Sequence, residues 1–553
     1  MVPDDECRWS VFEKLELKIA WLLFSVCELA SETSPIATTW REAWRAARPG
    51  DVGLVKSLAQ SVATLHAAGV DAVFAVEEAS CGGASVLTLQ LERGLTLDTP
   101  ALYSDKRVRP AWIAHIRDFL EMASVENAAE AADRAASLET SIAAMWRSPA
   151  ERRVENSMVM MSVKELEKAA PSHWAEYLQV LGVGASARVG VSYPPALPQI
   201  AEFLASPNLG DYLLWKALCF AAPFMGEKWA VPHERFFCGV LGGALTTHPP
   251  WRRSVTATCS VVPKALGAAY ARRVLTRETL SEVDDMMRRI FAAMRRRLLD
   301  ATWLSEKTRL AQIARLDAMR WFVGSDTDAH PETQRVFKAT SLLGLLLGQR
   351  AVDWSAFVKR INTTAPPLAA WPMSSFDVNA CYRRDLNALF VPAAVLQPPF
   401  FDANQARARN YGALGVVLAH EVSHAFDDES HDGWAPGERA DFEKRARVLV
   451  EQANARGLDG KLTLGENLAD AIGLRVALDA LNSAGRNVGS TRGQYSSQDL
   501  AFFEAWATLM ASESRPEDSA RRIQMDPHAP GWARVAMPLL GMPRFTKAME
   551  SFT

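Results

Sequence analysis

Residues 411–428 read Tyr-Gly-Ala-Leu-Gly-Val-Val-Leu-Ala-His-Glu-Val-Ser-His-Ala-Phe-Asp-Asp, and this stretch decides how the rest of the chain is understood. On an α-helix, His420 and His424 lie one turn apart on the same face, so two imidazoles can grip one metal ion. Glu421 is rotated by about 100° from His420 and can lean over the open side of that ion, where a general base must stand. Positions 413–419 are all apolar or small, which predicts a helix buried on most sides. Two histidines and a glutamate are costly to bury unless chemistry uses them.

A tetrahedral catalytic zinc takes three protein ligands and leaves the fourth position to water. The best third ligand lies in 463–470, Thr-Leu-Gly-Glu-Asn-Leu-Ala-Asp. Glu466 and Asp470 are four apart and project from one helix face, so Glu466 can reach the metal. Asp470 can then accept the second ring N–H of a ligand histidine and fix its tautomer.

Composition bounds the remaining possibilities. The chain has 553 residues, 49% apolar and 23% charged, which excludes a disordered or collagen-like protein. Lysine plus arginine is 61 against 64 aspartate plus glutamate, a net charge of −3 that attracts no polyanion, so nucleic acid is not expected as a partner. The cluster Arg295-Arg296-Arg297 reads as a solvated helix face. No apolar run approaches the roughly 20 residues of a membrane span. The run Ile19–Val26 follows an acidic flank, so it reads as a buried helix and not as a secretory signal. Seven scattered cysteines with no CxxC pair point to a reducing, cytoplasmic setting. The residues carry no signal for oligomeric state.

Residues 10–355 read as mostly helical, with Ala111–Ala123 and Ser281–Phe322 as examples and a strand at Ala84–Leu91. A Pro/Ala-rich interval, Thr363–Ala370, separates this half from one of different texture. There Asp377–Leu396 predicts two short strands joined by a turn, followed by helices after 410 and 460.

Taken together, these blocks resemble the neprilysin-type zinc metallopeptidases. The matching residues are His420–His424, Phe426-Asp427-Asp428 and Gly465–Asp470. Further matches are Val378-Asn379-Ala380-Cys381-Tyr382, Asn387, Pro392-Ala393, Leu396–Phe401 (Leu-Gln-Pro-Pro-Phe-Phe), Asp526–Pro530 and Arg534. The resemblance implies a mainly α fold with a small β component. It would be a two-lobed zincin, with a thermolysin-like catalytic lobe (360–553) facing a large helical lobe (1–359) across a cavity that admits small peptides. It implies zinc on His420, His424 and Glu466, with Glu421 as general base. His528 would donate to the oxyanion, Arg534 would bind a substrate carbonyl, and Asn379 and Ala380 would pair with an extended short peptide. By the same matching, Val395, Phe400, Val416, Val417, Leu509 and Met510 would line an apolar pocket, so cleavage is expected on the amino side of a hydrophobic residue.

This chain departs from the family pattern in several places. The family's N-terminal Tyr-x-Tyr and Asn-Gly-x-Trp block has no counterpart, and similarity starts near Trp9–Phe12. The terminal Cys-x-x-Trp is absent, and Met510-Ala511 stands where Trp-Cys is common. His431, in the loop after Asp428, is expected to be solvated and surplus to the ligand set. A zinc-containing scaffold without activity is the alternative, but it would have no need of Glu421, His528 and Arg534. A maturation enzyme dedicated to one peptide differs from the main reading only in breadth.

Overall fold

Helix α4 (Arg277–Leu299) shows why the chain is not divided where its texture changes. It carries Val283, Met286, Met287, Ile290 and Met294 along one stripe, and all five are buried in the same core as Leu414, Val416 and Leu418. The computed structural model describes residues 52–81, 83–154, 158–184, 186–325, 341–361, 371–429, 434–484 and 497–550. Two compact units emerge, one of residues 1–262 and 330–368, the other of residues 263–329 and 369–553. The single boundary expected at 359/360 is therefore replaced by an interleaved one. Burial of the α4 stripe holds 263–329 in the second unit. The run Ile19–Val26, the segment Trp9–Phe12, the interval Thr363–Ala370 and His431 lie outside the described residues.

The first unit packs helices α1 (Val108–Met122), α2 (Ala128–Met145) and α3 (Leu209–Ala221) with a four-stranded sheet. Its strands are β1 (Ala75–Cys81), β2 (Ala84–Gln90), β3 (Val159–Ser162) and β4 (Arg188–Val191), in the order β1-β2-β4-β3. Only β2 matches a strand expected from the sequence, and there Leu87 and Leu89 point into the core as the alternation requires. The buried face of α2 is mostly alanine, from Ala128 to Ala143, which allows neighbouring backbones to approach closely.

In the second unit α4 is followed by α5 (Glu306–Asp317) and β5 (Arg320–Gly324). The helical run expected over Ser281–Phe322 is thus corrected: it breaks after Leu299 and ends at Asp317. Tertiary pairing overrides helical pattern at its end, since β5 runs parallel to β7 (Ala388–Pro392), with Trp321 opposite Leu389 and Val323 opposite Val391. Strand β6 (Cys381–Arg383) pairs antiparallel with the other side of β7, giving a sheet β5-β7-β6 in which β6 is an edge. The remaining elements used below are α6 (Val416–Ser423), α7 (Pro436–Asn454), α8 (Leu464–Ala484), α9 (Ser497–Met510) and α10 (Gly531–Leu540). Among the described residues no helix is long and apolar enough to cross a membrane, and Cys81, Cys219, Cys238, Cys259 and Cys381 form no disulfide.

Helix α5 begins where Ser305 caps it, its Oγ accepting from Thr308 N at 3.3 Å. A second helix start is tied to the first by Glu438, which accepts from Ser305 N (2.6 Å), Thr308 Oγ1 (2.8 Å) and Ala435 N (2.8 Å). Chiefly the backbone bond from Ser305, then that from Ala435, holds this carboxyl down at about 2. Its folded value is depressed, so its contribution is complete above the ordinary glutamate value of about 4.3 and is lost as pH falls through about 2. Glu438→Gln is expected to destabilise the protein by about 2–3 kcal/mol in denaturant titrations at pH 7. The gap to wild type should close on acidification, and a gap independent of pH would refute the charge's role.

Candidate metal centre

The helix that carries the His-Glu pair is irregular at both ends. A π-helical turn, Tyr411–Gly415, leads into α6, and a 3-10 turn, His424–Phe426, follows it. Such insertions re-aim side chains locally. His420 and His424 still face each other, their ring centroids 4.8 Å apart and their planes nearly perpendicular. Helix α8 lies directly against α6 because residue 473 is glycine. A Cβ there would sit 2.9 Å from His420 N and 3.1 Å from Val416 O. Gly412 serves the same purpose against α9, where a Cβ would stand 2.1 Å from Phe502 O.

This close crossing brings Glu466 to the imidazoles. Its Oε2 is 3.1 Å from His420 Nε2 and 3.7 Å from His424 Nε2, and the two Nε2 atoms are 3.2 Å apart. Zinc ligands at about 2.0–2.1 Å and tetrahedral angles are about 3.3–3.4 Å from one another, so the three atoms fit a zinc ion. Glu466 Oε2 is moreover buried without a hydrogen-bond donor, as suits an atom whose partner is a cation. Gly473→Ala would force the helices apart at His420, and a zinc affinity at least about 10-fold weaker is expected in chelator competition. An unchanged affinity would show that the crossing is not what sets the ligand geometry.

Both histidines are oriented from behind. His420 Nδ1 is 2.8 Å from Asp470 Oδ1, and Asp470 in turn accepts from Arg534 Nη2 (2.7 Å) and Nε (2.8 Å). His424 Nδ1 is 3.1 Å from Asp427 Oδ2, whose other oxygen accepts from Arg384 Nη2 (2.9 Å) and Glu429 N (3.0 Å). The sequence reading gave Asp427 no role. Its signal was the placement three residues after His424, which a 3-10 turn brings round to the ring. Each carboxylate leaves the opposite nitrogen of its histidine turned toward Glu466.

The electrostatics follow from this crowding of acids. Burial lowers the basicity of His420, but Asp470 and Glu466 outweigh it and raise its pKa to about 10. His424 also rises, burial being outweighed mainly by Asp427. Burial pushes Asp470 up while Arg534 and His420 pull it down to about 2, and Glu466 is held well below the carboxylate range by His420 and His424. The set thus attracts positive charge strongly. Glu421 is displaced upward, chiefly by burial, and its Oε2 accepts from Tyr382 N at 2.9 Å. That bond links the edge strand β6 to the helix carrying His420 and His424.

His528 reaches the same cluster from the loop before α10, with Nε2 3.3 Å from Glu466 Oε2. Asp526 fixes it, accepting His528 N at 2.9 Å and lying 2.8 Å from Nδ1. Burial raises the Asp526 carboxyl, but His528 leads the bonds that bring it down to about 2. Arg534 sits beneath Asp470, its own carbonyl accepting from Trp506 Nε1 at 3.2 Å. Asn379 is exposed, and its Oδ1 accepts from Ala380 N at 2.9 Å, immediately before β6. Of the six apolar residues singled out in the sequence, Val395 and Val416 are fully packed core. Phe400, Leu509 and Met510 lie partly buried against that core, and Val417 is half-buried.

Comparison with known proteins agrees with this geometry. The sequence profiles of Peptidase family M13 match residues 30–326 and 379–551. Human endothelin-converting enzyme 1 is 27% identical over 434 residues, covering 72% of this chain and 56% of that protein. Neprilysin-3 of Drosophila melanogaster is 27% identical over 446 residues, with coverage of 72% and 56%. The chain therefore spans little more than half the length of these curated relatives. Among solved structures, Mycobacterium tuberculosis zinc metalloprotease Zmp1 in complex with an inhibitor aligns with a TM-score of 0.80 at 24% identity, covering 98% of this chain and 90% of that one. PepO from Lactobacillus rhamnosis aligns at 0.78 and 20%, covering 100% and 94%. The fold is that two-lobed, mainly helical one, and the two profile matches take in most of the sequence, the three converging ligands included: the chain belongs to peptidase family M13.

Proposed function

We propose that the protein is a zinc-dependent peptidase that hydrolyses short peptides on the amino side of hydrophobic residues. The observation that carries this reading is the convergence of His420, His424 and Glu466, with 3.1–3.7 Å between their facing atoms, beside a buried glutamate. Zinc held there would supply Lewis acidity, acidifying a water and polarising a peptide carbonyl. Glu421 takes the proton from the attacking water and passes it to the leaving amine. Its carboxylate is aimed by Tyr382 N, so the strand that meets the substrate also positions the base.

An extended peptide pairs with the chain at Asn379 and Ala380, continuing the open edge of β6. His528, steadied by Asp526, donates from Nε2 to the oxyanion, and Arg534 meets a substrate carbonyl through Nη1, since Nε and Nη2 are committed to Asp470. Phe400, Val417, Leu509 and Met510 offer apolar surface to the residue after the scissile bond, over a floor of Val395 and Val416. The limit to short peptides rests on the family resemblance.

The purified chain, incubated with a diverse peptide mixture, should cut before Phe, Leu, Ile, Met or Val. Chelation should abolish cleavage and stoichiometric zinc should restore it. Full zinc occupancy with no cleavage of any peptide would reject the peptidase reading in favour of a scaffold.

A further inference from the structure

Glu234, Cys238 and His248 bring a carboxylate oxygen, a thiol sulfur and an imidazole nitrogen within 4.8 Å of one another in the first unit. Helix Glu227–Glu234 runs directly into a π-helical turn, Arg235–Leu241, which carries the cysteine. The chain then reverses at Gly243, which adopts a φ of 70°. Here Gly243 N donates to Gly239 O and Ala244 N to Cys238 O, both at 2.8 Å. The returning segment places His248 N on Glu234 Oε1 at 2.6 Å, and His248 Nδ1 contacts the same oxygen.

The carboxylate of Glu234 is the informative group. The residue is only 8% exposed, and its Oε2 is buried with no hydrogen-bond donor. Arg253 Nη1 stands 3.6 Å from that oxygen but donates to His248 O, while Nη2 donates to Glu227. An ion pair between His248 and Glu234 would leave the buried Oε2 without a hydrogen bond. A cation shared by all three side chains would not.

We propose that Glu234, Cys238 and His248 hold a second zinc ion, which pins the 242–249 segment to the end of the preceding helix. Zinc accepts sulfur, nitrogen and oxygen together, whereas the hard cations magnesium and calcium do not favour a thiolate. Binding displaces the thiol proton to solvent, and His248, whose side chain is 39% exposed, gives the ion a route in. The proposal is independent of the peptidase reading.

Elemental analysis of the zinc-saturated, dialysed chain should find two zinc ions, falling to one in Cys238→Ser and in His248→Ala with peptide cleavage unchanged. Loading with cobalt alone should give a thiolate-to-metal charge-transfer band, which neither His420, His424 nor Glu466 can produce. One zinc per wild-type chain, or two in Cys238→Ser, overturns the proposal. Should the variants not fold, wild-type cobalt protein lacking the thiolate band overturns it equally. If the wild-type chain cleaves no peptide while stoichiometry drops from two to one in the variants, the second site stands and the peptidase reading fails.

Discussion

Glu421→Gln should lower kcat by about 10²–10⁴-fold while the protein keeps its zinc at the His420, His424 and Glu466 site. The amide has the shape of the carboxylate, and its oxygen can still accept from Tyr382 N, so neither the edge strand nor the helix need move. The amide cannot take up a proton at neutral pH. A loss of kcat with KM little changed would place the effect in the transition state. Turnover within a few-fold of wild type would refute the role of Glu421 as base. Loss of zinc from the variant would assign the residue to holding the site together instead.

Asp470→Ala should be the most damaging single change to the scaffold of the site. Asp470 is 1% exposed and accepts from His420 and twice from Arg534. Removing it leaves a largely buried guanidinium without its partner, at a cost of about 3–5 kcal/mol in unfolding free energy. It also frees the His420 ring, which should weaken zinc binding by about 10–100-fold. The two effects can be separated. In the pair Asp470→Ala with Arg534→Met the stranded charge is gone, so much of the stability should return while zinc affinity stays low. Recovery of affinity in the double variant would show that Asp470 acts on the metal only by neutralising Arg534.

The sequence made the candidate metal cluster legible because its parts are local. His420, Glu421 and His424 share one helix, Glu466 and Asp470 share another, and helical periodicity relates the members of each set. The hairpin within 377–396 was legible for a similar reason, Asn387 turning the chain in the left-handed region (φ 43°) between β6 and β7. What escaped depends on tertiary pairing. Strands β3 and β4 are four residues each, too short for alternation to register, and β3 runs straight into a helix capped by Ser162. Strand β5 continues a helical pattern and is recruited by β7. Asp427 follows the ligand helix, and only the 3-10 turn gives it a ring to hold. The interleaved units were hidden because α4 reads like the helices before it, while its apolar stripe belongs to a core formed much later in the chain.

The three residues that would hold the cation come from two helices that touch through Gly473, and neither helix alone supplies all three. Ion binding and the packing of these helices are therefore thermodynamically linked. At free zinc 100-fold above the dissociation constant, mass action adds about 2.7 kcal/mol to the folded state, and at 1,000-fold about 4.1 kcal/mol. Stability would thus become a property of the surrounding metal supply as well as of the polypeptide.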